Sequence, residues 1–383
     1  MISKLKLYGF GLCMAIGLNN AIAQGFVGYY QSPDIHKNTI VFTAEGDIWK
    51  VSTKGGLAQR LTTHTEEEQY PRISPDGKTL VYSASYEGPR EVYTIPLDGG
   101  LPTRWTYSEG SKAIGWTPSG NIIYQTGEFS KLPKAQLVTI DSASKVKSIL
   151  PLLQAQQGIQ NENNTWFFVP LDEANDNVKR YKGGWARQIW KFDGKHEAVK
   201  LTTDHLGESF NPMWYEGRIY FISDRDGMKN IWSMNADGKD LKQHTSHAEF
   251  DVQSANLNDG KIVYQHGADL WLLDITSGKS NKIDIQLSTD LKHLRETWIE
   301  NPESYITSVH LNPAGDKIVV TARGRVFVVP VESGQTKSYA EHNGEVIRYR
   351  DAVFSHDGEK IIALSDQSGE MEFVQFASNG TST

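Results

Sequence analysis

Nucleophilic catalysis needs a reactive side chain held beside a base, and the sequence offers no known motif of that kind. The nearest approach to a Gly-x-Ser-x-Gly elbow is Gly207-Glu208-Ser209-Phe210, which lacks the closing glycine. No His-Glu-x-x-His metalloprotease motif occurs. We therefore predict no catalytic residue in this chain, and no residue that binds a cofactor.

Metal binding has two weak candidates. His244 and His247 are three residues apart, but no third ligand follows at a suitable spacing, so we interpret them as loop residues. Asp224-Arg225-Asp226-Gly227 is similar to the start of a calcium loop. Its glycine comes too early, and Asn235 stands where the bidentate glutamate should be. We predict that these aspartates stabilise a turn, and that the chain binds no metal.

Three clusters of charge could contact a ligand. Glu66, Glu67 and Glu68 form an acidic run, which is more typical of a solvated loop than of a pair of acid–base carboxylates. Lys179-Arg180, and Lys131 with Lys134, are small basic clusters in longer loops. Such groups could hold a peptide carboxylate, although ordinary surface residues are the favoured interpretation.

The elements that would position these side chains are short strands in a repeat. An apolar strand, a break and a strand ending in an apolar or aromatic pair recur six times, spaced by roughly 40 to 50 residues, which is the period of a propeller blade. The six units are Ile40-Val41-Phe42 with Gly46-Asp47-Ile48-Trp49, Leu80-Val81-Tyr82 with Glu91-Val92-Tyr93, Ile122-Ile123-Tyr124 with Gln136-Leu137-Val138, Trp166-Phe167-Phe168 with Gln188-Ile189-Trp190, Ile219-Tyr220-Phe221 with Asn230-Ile231-Trp232, and Ile262-Val263-Tyr264 with Asp269-Leu270-Trp271. We interpret the aromatic residues of the third strands as packing between blades, where each sheet buries its faces against its neighbours.

Turn residues separate the strands at matching places. Ser74-Pro75-Asp76-Gly77 and Thr117-Pro118-Ser119-Gly120 precede the second strand of their units, with proline setting φ and glycine supplying the positive φ. Several units also close on a similar two-residue step: Leu61-Thr62, Trp105-Thr106, Leu201-Thr202 and His244-Thr245. The sequence thus predicts an all-β fold, a six-bladed β-propeller of four-stranded antiparallel blades over residues 24–293.

A second set of units follows a break. Residues 281–303 lack the repeat and include a more helical stretch from Asp290 to Glu300. Asn312-Pro313-Ala314-Gly315 and Ser355-His356-Asp357-Gly358 then restart the turn signal. We predict that residues 294–383 are a linker and the first blades of an incomplete second propeller.

The first 23 residues have the pattern of a signal peptide. Lys4 and Lys6 precede an apolar stretch over 7–18, and Ala21-Ile22-Ala23 supplies small residues for cleavage before Gln24. The lone cysteine, Cys13, lies in this segment, so no disulfide is expected in the mature chain. We predict export to a periplasm.

The net charge of -7 argues against a nucleic-acid partner, which would need a basic surface. No other stretch is long and apolar enough to span a membrane once the signal is cleaved.

Several phrases together carry a family resemblance. They are Gly46-Asp47-Ile48-Trp49-Lys50-Val51, Gly55-Gly56, Arg60-Leu61-Thr62, Tyr70-Pro71-Arg72-Ile73-Ser74-Pro75-Asp76-Gly77, and Ser223-Asp224-Arg225-Asp226-Gly227 with Asn230-Ile231-Trp232. In this order they resemble the N-terminal propeller of tricorn-type proteases, over residues 25–383.

The resemblance implies a six-bladed propeller, then a seven-bladed one, then a PDZ domain and catalytic domains with an active serine and histidine. It implies propellers that filter unfolded peptides, a homo-oligomer at full length, and a cytoplasmic location in archaeal relatives. None of the family's catalytic or substrate-anchoring positions transfers to a residue here. Whether the chain takes part in an enzyme therefore stays open at this point.

Two other classes of propeller protein stay open as alternatives. One is a stand-alone periplasmic binding module similar to the Tol-system propeller. A mixed α/β domain precedes the propeller in that family, whereas the repeat here starts almost at Gly25. The other is the propeller of a prolyl-oligopeptidase-like enzyme, which would continue into an α/β-hydrolase domain rather than into a restarted repeat at Asn312.

Overall fold

The computed structural model describes residues 28–108, 110–172, 178–292, 295, 298–339 and 347–379. The expected signal peptide (residues 1–23) and its cleavage site lie outside the described residues. The chain divides into two compact units, residues 1–293 and 294–383. Both are built from β-strands, and most of the sheets have four strands.

The described residues of the first unit form six sheets, and in each of them the strands of the blade follow one another in chain order. Blades one to three consist of β1 (Gln31–His36), β2 (Thr39–Ala44), β3 (Asp47–Ser52) and β4 (Gly56–Arg60); β5 (Glu68–Ile73), β6 (Thr79–Ala84), β7 (Glu91–Pro96) and β8 (Thr103–Arg104); and β9 (Ser111–Trp116), β10 (Ile122–Thr126), β11 (Gln136–Ile140) and β12 (Lys147–Ile149). Blades four to six consist of β13 (Gln157–Gln160), β14 (Trp166–Val169), β15 (Trp190–Phe192) and β16 (Val199–Lys200); β17 (Ser209–Tyr215), β18 (Arg218–Ser223), β19 (Asn230–Asn235) and β20 (Lys242–Gln243); and β21 (Val252–Asn258), β22 (Lys261–His266), β23 (Asp269–Asp274) and β24 (Ser280–Lys282). Within each blade the neighbouring strands are antiparallel.

The six blades close into a ring. The first strand of each blade contacts the first strand of the next, and β21 contacts β1. A further strand, β25 (Ile285–Leu287), then adds to the outer edge of blade one, parallel to β4. The predicted six-bladed propeller is thus confirmed, but the break predicted over 281–303 contains this additional strand.

The middle strands form the core because their side chains are buried on both faces of the blade. Ile40, Val41 and Phe42 of β2 are fully buried, and Trp49 of β3 packs in the cluster shared by blades six and one. A blade packed on both faces favours near-continuous apolar runs over strict alternation. This is why the short apolar runs of the repeat mark the second strand of every blade.

The turns use the residues that the sequence predicted. The N–H of Gly77 donates to the carbonyl of Ser74 at 2.8 Å, and Gly77 has φ +75°. A Cβ at this position would lie 2.7 Å from the His36 ring of blade one, so glycine is required for space as well as for backbone conformation. Gly120 closes the equivalent turn of blade three onto Thr117 at 2.9 Å.

The recurrent threonine at the end of four blades acts as a bridge. In blade four, the Thr202 hydroxyl accepts from the Ile189 N–H at 3.1 Å and donates to Gln188 Oε1 at 2.6 Å. Thr62, Thr106 and Thr245 accept from the equivalent backbone N–H groups in blades one, two and five. Each donates to a carboxylate or amide oxygen, which explains why a hydroxyl recurs there.

The described residues of the second unit form two sheets. They consist of β26 (Ile306–Leu311), β27 (Lys317–Ala322), β28 (Arg325–Pro330) and β29 (Lys337–Ser338), and of β30 (Tyr349–Phe354), β31 (Lys360–Ser365) and β32 (Glu372–Ala377). Its buried cluster includes Val319, Val326, Phe354 and Ile361. The turn signals at Asn312 and Ser355 lie between the first and second strands of these sheets, as the equivalent turns do in blades two and three.

Helical structure is scarce in the described residues. One turn of 3-10 helix, Pro302–Tyr305, precedes β26. The helical stretch expected from Asp290 to Glu300 falls partly on positions 293, 294, 296 and 297, which lie outside the described residues. No helix in the described part of the chain is long and apolar enough to cross a membrane.

Candidate functional site: the central channel

The innermost strands of the six blades surround a channel of about 730 Å³. Residues from β1, β5, β9, β13, β17 and β21 line it. Because these strands are separated by about 40 residues in the chain, the site exists only once the ring closes.

Three of the innermost strands carry the same bulge. Ser32, Tyr70 and Asn211 have φ of 50°, 56° and 57°, and a proline follows each of them. The strand register shifts at each of these points. Proline is tolerated here because no further strand lies along the inner edge of a blade. The N–H that proline lacks would have no backbone partner there. The bulges bend the strands and place these side chains at the channel.

Side chains join neighbouring blades around the channel. Asn211 in blade five is bonded to both of its neighbours: its N–H donates to Gln157 Oε1 of blade four at 2.9 Å, and its Nδ2 donates to the Ala255 carbonyl of blade six at 2.8 Å. Asn256 in blade six donates to the Pro33 carbonyl of blade one at 2.8 Å. Trp116 in blade three donates to the Arg72 carbonyl of blade two at 3.0 Å. These bonds fix the inner strands relative to one another.

One layer of the channel is formed by structurally equivalent residues, which we call the channel collar. In five blades the collar residue of the first strand pairs with a residue that occupies the same position in each second strand. In blade six Val252 pairs with His266, and the collar residue is the next one along, Gln253. The collar consists of Gln31, Gln69, Lys112, Gln157, Phe210 and Gln253. Four of its six positions therefore carry a primary amide.

Lys112 is the charged member of the collar. Its ammonium lies 4.0 Å from the centre of the Tyr70 ring, in cation–π contact. Burial lowers its pKa to about 8; Asp172 opposes this shift, and Arg72, Arg90 and Arg187 add to it. The channel therefore has a locally positive wall around Lys112.

A second layer places Arg72 and Asp34 within the channel wall. Arg72 Nη1 donates to the carbonyls of Pro71 at 2.7 Å and Ser32 at 3.3 Å, and burial lowers its pKa. Asp34 Oδ2 accepts from the Ile73 N–H at 2.5 Å. Burial raises the pKa of Asp34 to about 6, against the lowering effect of the Arg72 charge.

Arg187 also borders the channel but is committed to a buried ion pair. Its Nε donates to Glu208 Oε2 at 2.9 Å, and its guanidinium lies over the Phe210 ring at 3.6 Å. Burial acts to raise the pKa of Glu208, but the hydrogen bond and charge of Arg187 outweigh it, and the pKa lies below its ordinary value. We interpret this pair as a support for the collar residue Phe210.

The two histidines considered for a metal lie in separate environments. His244 Nε2 contacts the Ser233 hydroxyl at 2.8 Å, whereas His247 Nε2 contacts the Tyr264 hydroxyl at 2.8 Å. His247 also stacks on His266 with ring centres 3.8 Å apart, a neighbour that spacing alone did not indicate. No group of three or more metal-ligating side chains is present among the described residues.

Asp224 and Arg180 have structural partners. Asp224 Oδ1 accepts from the Glu208 N–H at 2.8 Å and contacts His205 Nε2 at 2.6 Å, so its carboxylate holds the segment before β17 to the turn after β18 instead of bonding within that turn. Arg180 forms a two-pronged ion pair with Asp251, with contacts of 3.0 and 2.9 Å. The suggestion that Lys179-Arg180 could hold a peptide carboxylate therefore fails for Arg180.

The acidic run divides at its last residue. Glu66 and Glu67 are exposed, as expected of a solvated loop. Glu68 is fully buried as the first residue of β5 and accepts from the Thr62 hydroxyl at 3.0 Å. The loop interpretation is wrong for Glu68, because consecutive residues of an extended strand point in opposite directions.

The remaining candidates lie away from the collar. Lys134 lies 5.0 Å from the centre of the exposed Trp185 ring, and Lys131 is exposed in the same loop. The Ser209 hydroxyl is buried 3.1 Å from that of Ser223, so it is not placed as an accessible nucleophile. Sequence reasoning missed the collar, although a glutamine at the start of four inner strands was a usable signal.

Six four-stranded blades around a lined channel define the class of protein: the chain is a β-propeller. Residues 27–279 match the family described as "Tricorn protease N-terminal beta propeller domain", and the chain belongs to that family. The resemblance inferred from the sequence is thereby confirmed.

Known relatives and structures agree with the family. The chain is 28% identical over 358 residues to "Tricorn protease homolog 1" of Streptomyces coelicolor, covering 91% of this chain and 33% of the relative. It is 27% identical over 360 residues to "Tricorn protease homolog" of Saccharolobus solfataricus, covering 89% and 33%. The crystal structure of the tricorn protease superposes with a TM-score of 0.76 at 22% identity, over 91% of this chain and 35% of that one. The chain thus spans about a third of the length of these relatives.

Proposed function

We propose that this chain is the non-catalytic propeller portion of a tricorn-like serine protease, and that its channel filters or guides peptides to and from a catalytic domain. The observation that carries the proposal is the channel of about 730 Å³, lined by polar side chains from all six inner strands. Proteolysis itself is assigned by family membership alone. The peptide is the proposed partner, since an extended chain can thread a passage that a folded domain cannot enter.

A channel block tests this proposal. Ser254 lies on β21 in the channel wall, and Ser148 lies exposed on the outermost strand of blade three. In a Cys13→Ser background, Ser254→Cys and Ser148→Cys would each be coupled to a maleimide polyethylene glycol. Binding of a fluorescent unstructured peptide should be lost with the label at 254 and kept with the label at 148. Equal binding by both labelled proteins, or no binding by the unlabelled chain, would overturn the proposal.

We also propose that the chain alone has no peptidase activity. The Ser209 hydroxyl is buried beside Ser223, and the two histidines discussed above contact Ser233 and Tyr264. Incubation with unstructured peptides should give no cleavage. Hydrolysis that a serine-directed inhibitor abolishes would contradict this.

We propose that residues 1–23 direct export to a periplasm. The charged start, the apolar stretch and Ala21-Ile22-Ala23 support this, and a cytoplasmic location is the alternative. N-terminal sequencing of the protein purified from its own cells should begin at Gln24. Recovery of the intact Met1 terminus from the cytoplasmic fraction would favour the alternative.

A further inference from the structure

We propose that the channel collar binds the main-chain amide groups of an extended polypeptide, and so accepts peptides with little regard to their side chains. This inference rests on the proposed function, since it requires that polypeptide enters the channel. Its basis is the recurrence of glutamine at four of six equivalent positions. A primary amide offers donors and an acceptor in one plane, which are the complement of a peptide group.

The collar amides keep hydrogen-bonding capacity to spare. Gln31 and Gln253 are exposed, and their side chains have no hydrogen-bond partner within the described residues. Gln157 uses its Oε1 to accept from Asn211, which leaves its amide N–H groups. Gln69 uses its Nε2 to donate to Glu67 at 2.8 Å, which leaves its oxygen. Both donors and acceptors thus remain for a bound chain.

The positions of Gln31 and Gln253 argue against a purely structural role. The side chains of Asn211, Asn256, Trp116 and Arg72 make hydrogen bonds between neighbouring blades, and Gln157 accepts one from the Asn211 N–H, whereas Gln31 and Gln253 make none within the described residues. A polar side chain that supports no contact in the folded protein, and recurs at an equivalent place, is better explained by a ligand.

The remaining collar positions fit the same ligand. The Lys112 ammonium lies over the Tyr70 ring, and its N–H groups can donate to peptide carbonyl oxygens. Phe210 presents an apolar surface at the sixth position. Lys112 is the one charged residue of the collar, whereas its four amides match the peptide group that every residue shares.

A set of peptide probes separates main-chain from side-chain recognition. The probes are a short unstructured peptide, its scrambled sequence, and an isosteric version in which esters replace alternate amides. Scrambling should change the association constant by less than about threefold, while ester substitution should lower it by about fivefold or more, because each ester lacks an N–H donor. Equal binding of the ester and amide peptides would overturn the inference.

Collar variants provide the matched test on the protein. Gln31→Leu with Gln253→Leu should lower peptide binding by about fivefold or more, and Gln59→Leu, at an exposed position of β4, should leave it unchanged. Circular dichroism should show all variants folded, since Gln31 and Gln253 are exposed. Unchanged binding by the double variant would contradict the inference.

The two proposals fail in different ways. If the label at 254 abolishes binding but the ester peptide and the double variant bind normally, the channel is the site and the collar inference is wrong. If the label at 254 has no effect, the proposed function itself fails.

Discussion

A carboxyl group without bulk water around it is sensitive to pH, and Glu68 is such a group. Burial raises its pKa from 4.5 to about 7, and hydrogen bonds from Tyr86 and Thr62 oppose the shift. Well below pH 4.5 the group is protonated in the folded and unfolded states alike. As pH rises toward 7, the unfolded chain loses this proton first, so the free energy of unfolding falls, by up to about 3 kcal/mol.

Glu68→Gln should remove this part of the pH dependence. The amide keeps the size of the side chain and an oxygen that can accept from Thr62, but it does not ionise. Urea unfolding at a series of pH values should show the variant gaining stability relative to the wild type between pH 4.5 and 7. Asp34 titrates equally in both proteins, so the difference between their free energies of unfolding reports on Glu68 alone. Glu67→Gln, an exposed neighbour, should follow the wild type; a similar gain in that variant would contradict the assignment.

The bridging threonines should matter far more than their exposed neighbours. Thr202→Val removes a buried hydroxyl that joins the Ile189 N–H to Gln188, leaving both without that partner. We expect a loss of about 1–3 kcal/mol in the free energy of unfolding, measured in urea. Thr203→Val, at the next and exposed position, should change it by less than about 0.5 kcal/mol. Equal effects at the two positions would show that the bridge has no energetic role.

At the scale of the element, the sequence identified the second and third strands of each blade because burial on both faces demands short apolar runs there. It missed β25, although Ile283, Ile285 and Leu287 alternate with polar residues as a strand does. The reason is physical: β25 pairs with a partner more than 200 residues earlier in the chain, so no local turn or repeat announces it. The inner-strand bulges were missed for a similar reason, since their register depends on the second strand and on the neighbouring blade.

Gly55 is the residue on which β25 depends. It has φ +78°, and a Cβ there would lie 2.2 Å from the Asp284 carbonyl oxygen, which accepts from the Gly56 N–H at 2.8 Å. Gly55→Ala should therefore weaken the seam between β25 and blade one. Hydrogen exchange should accelerate at residues 285–287, and the free energy of unfolding should fall.

A glycine with the same backbone and free space provides the control. Gly217 has φ +80°, and a Cβ added there would have nothing within 4 Å, so Gly217→Ala should incur only the backbone penalty of about 1–2 kcal/mol. We expect Gly55→Ala to lose at least about 1 kcal/mol more than that, from the displaced hydrogen bond. If the two variants lose the same free energy of unfolding, the seam between β25 and blade one does not contribute to the stability of the ring.

For the molecule as a whole, the number of blades could be predicted from the sequence repeat, but the channel collar could not. The collar residues come from six strands that meet only when β21 reaches β1, and their side chains include no unusual residue type. The chemistry-bearing residues that stand out in the sequence, such as His247 and Asp224, serve instead to hold loops together. The sequence carries a recurring glutamine near the start of four inner strands, but only the closed ring shows that these amides face one channel.

The closed ring also predicts which pieces of the chain can fold. Among the described residues, five clusters of buried apolar side chains lie within the first unit and one lies within the second. One of them joins Val263 and Leu270 of blade six to Trp49 of blade one, and includes Ile285. Residues 24–293 expressed alone should therefore give a β-sheet circular dichroism spectrum and one cooperative thermal transition. Residues 24–250, which lack blade six and β25, should expose the faces of blades one and five and aggregate or bind a hydrophobic dye. If the shorter piece folds as well as the longer one, ring closure is not what stabilises the propeller; if the longer piece fails to fold, the first unit is not independent.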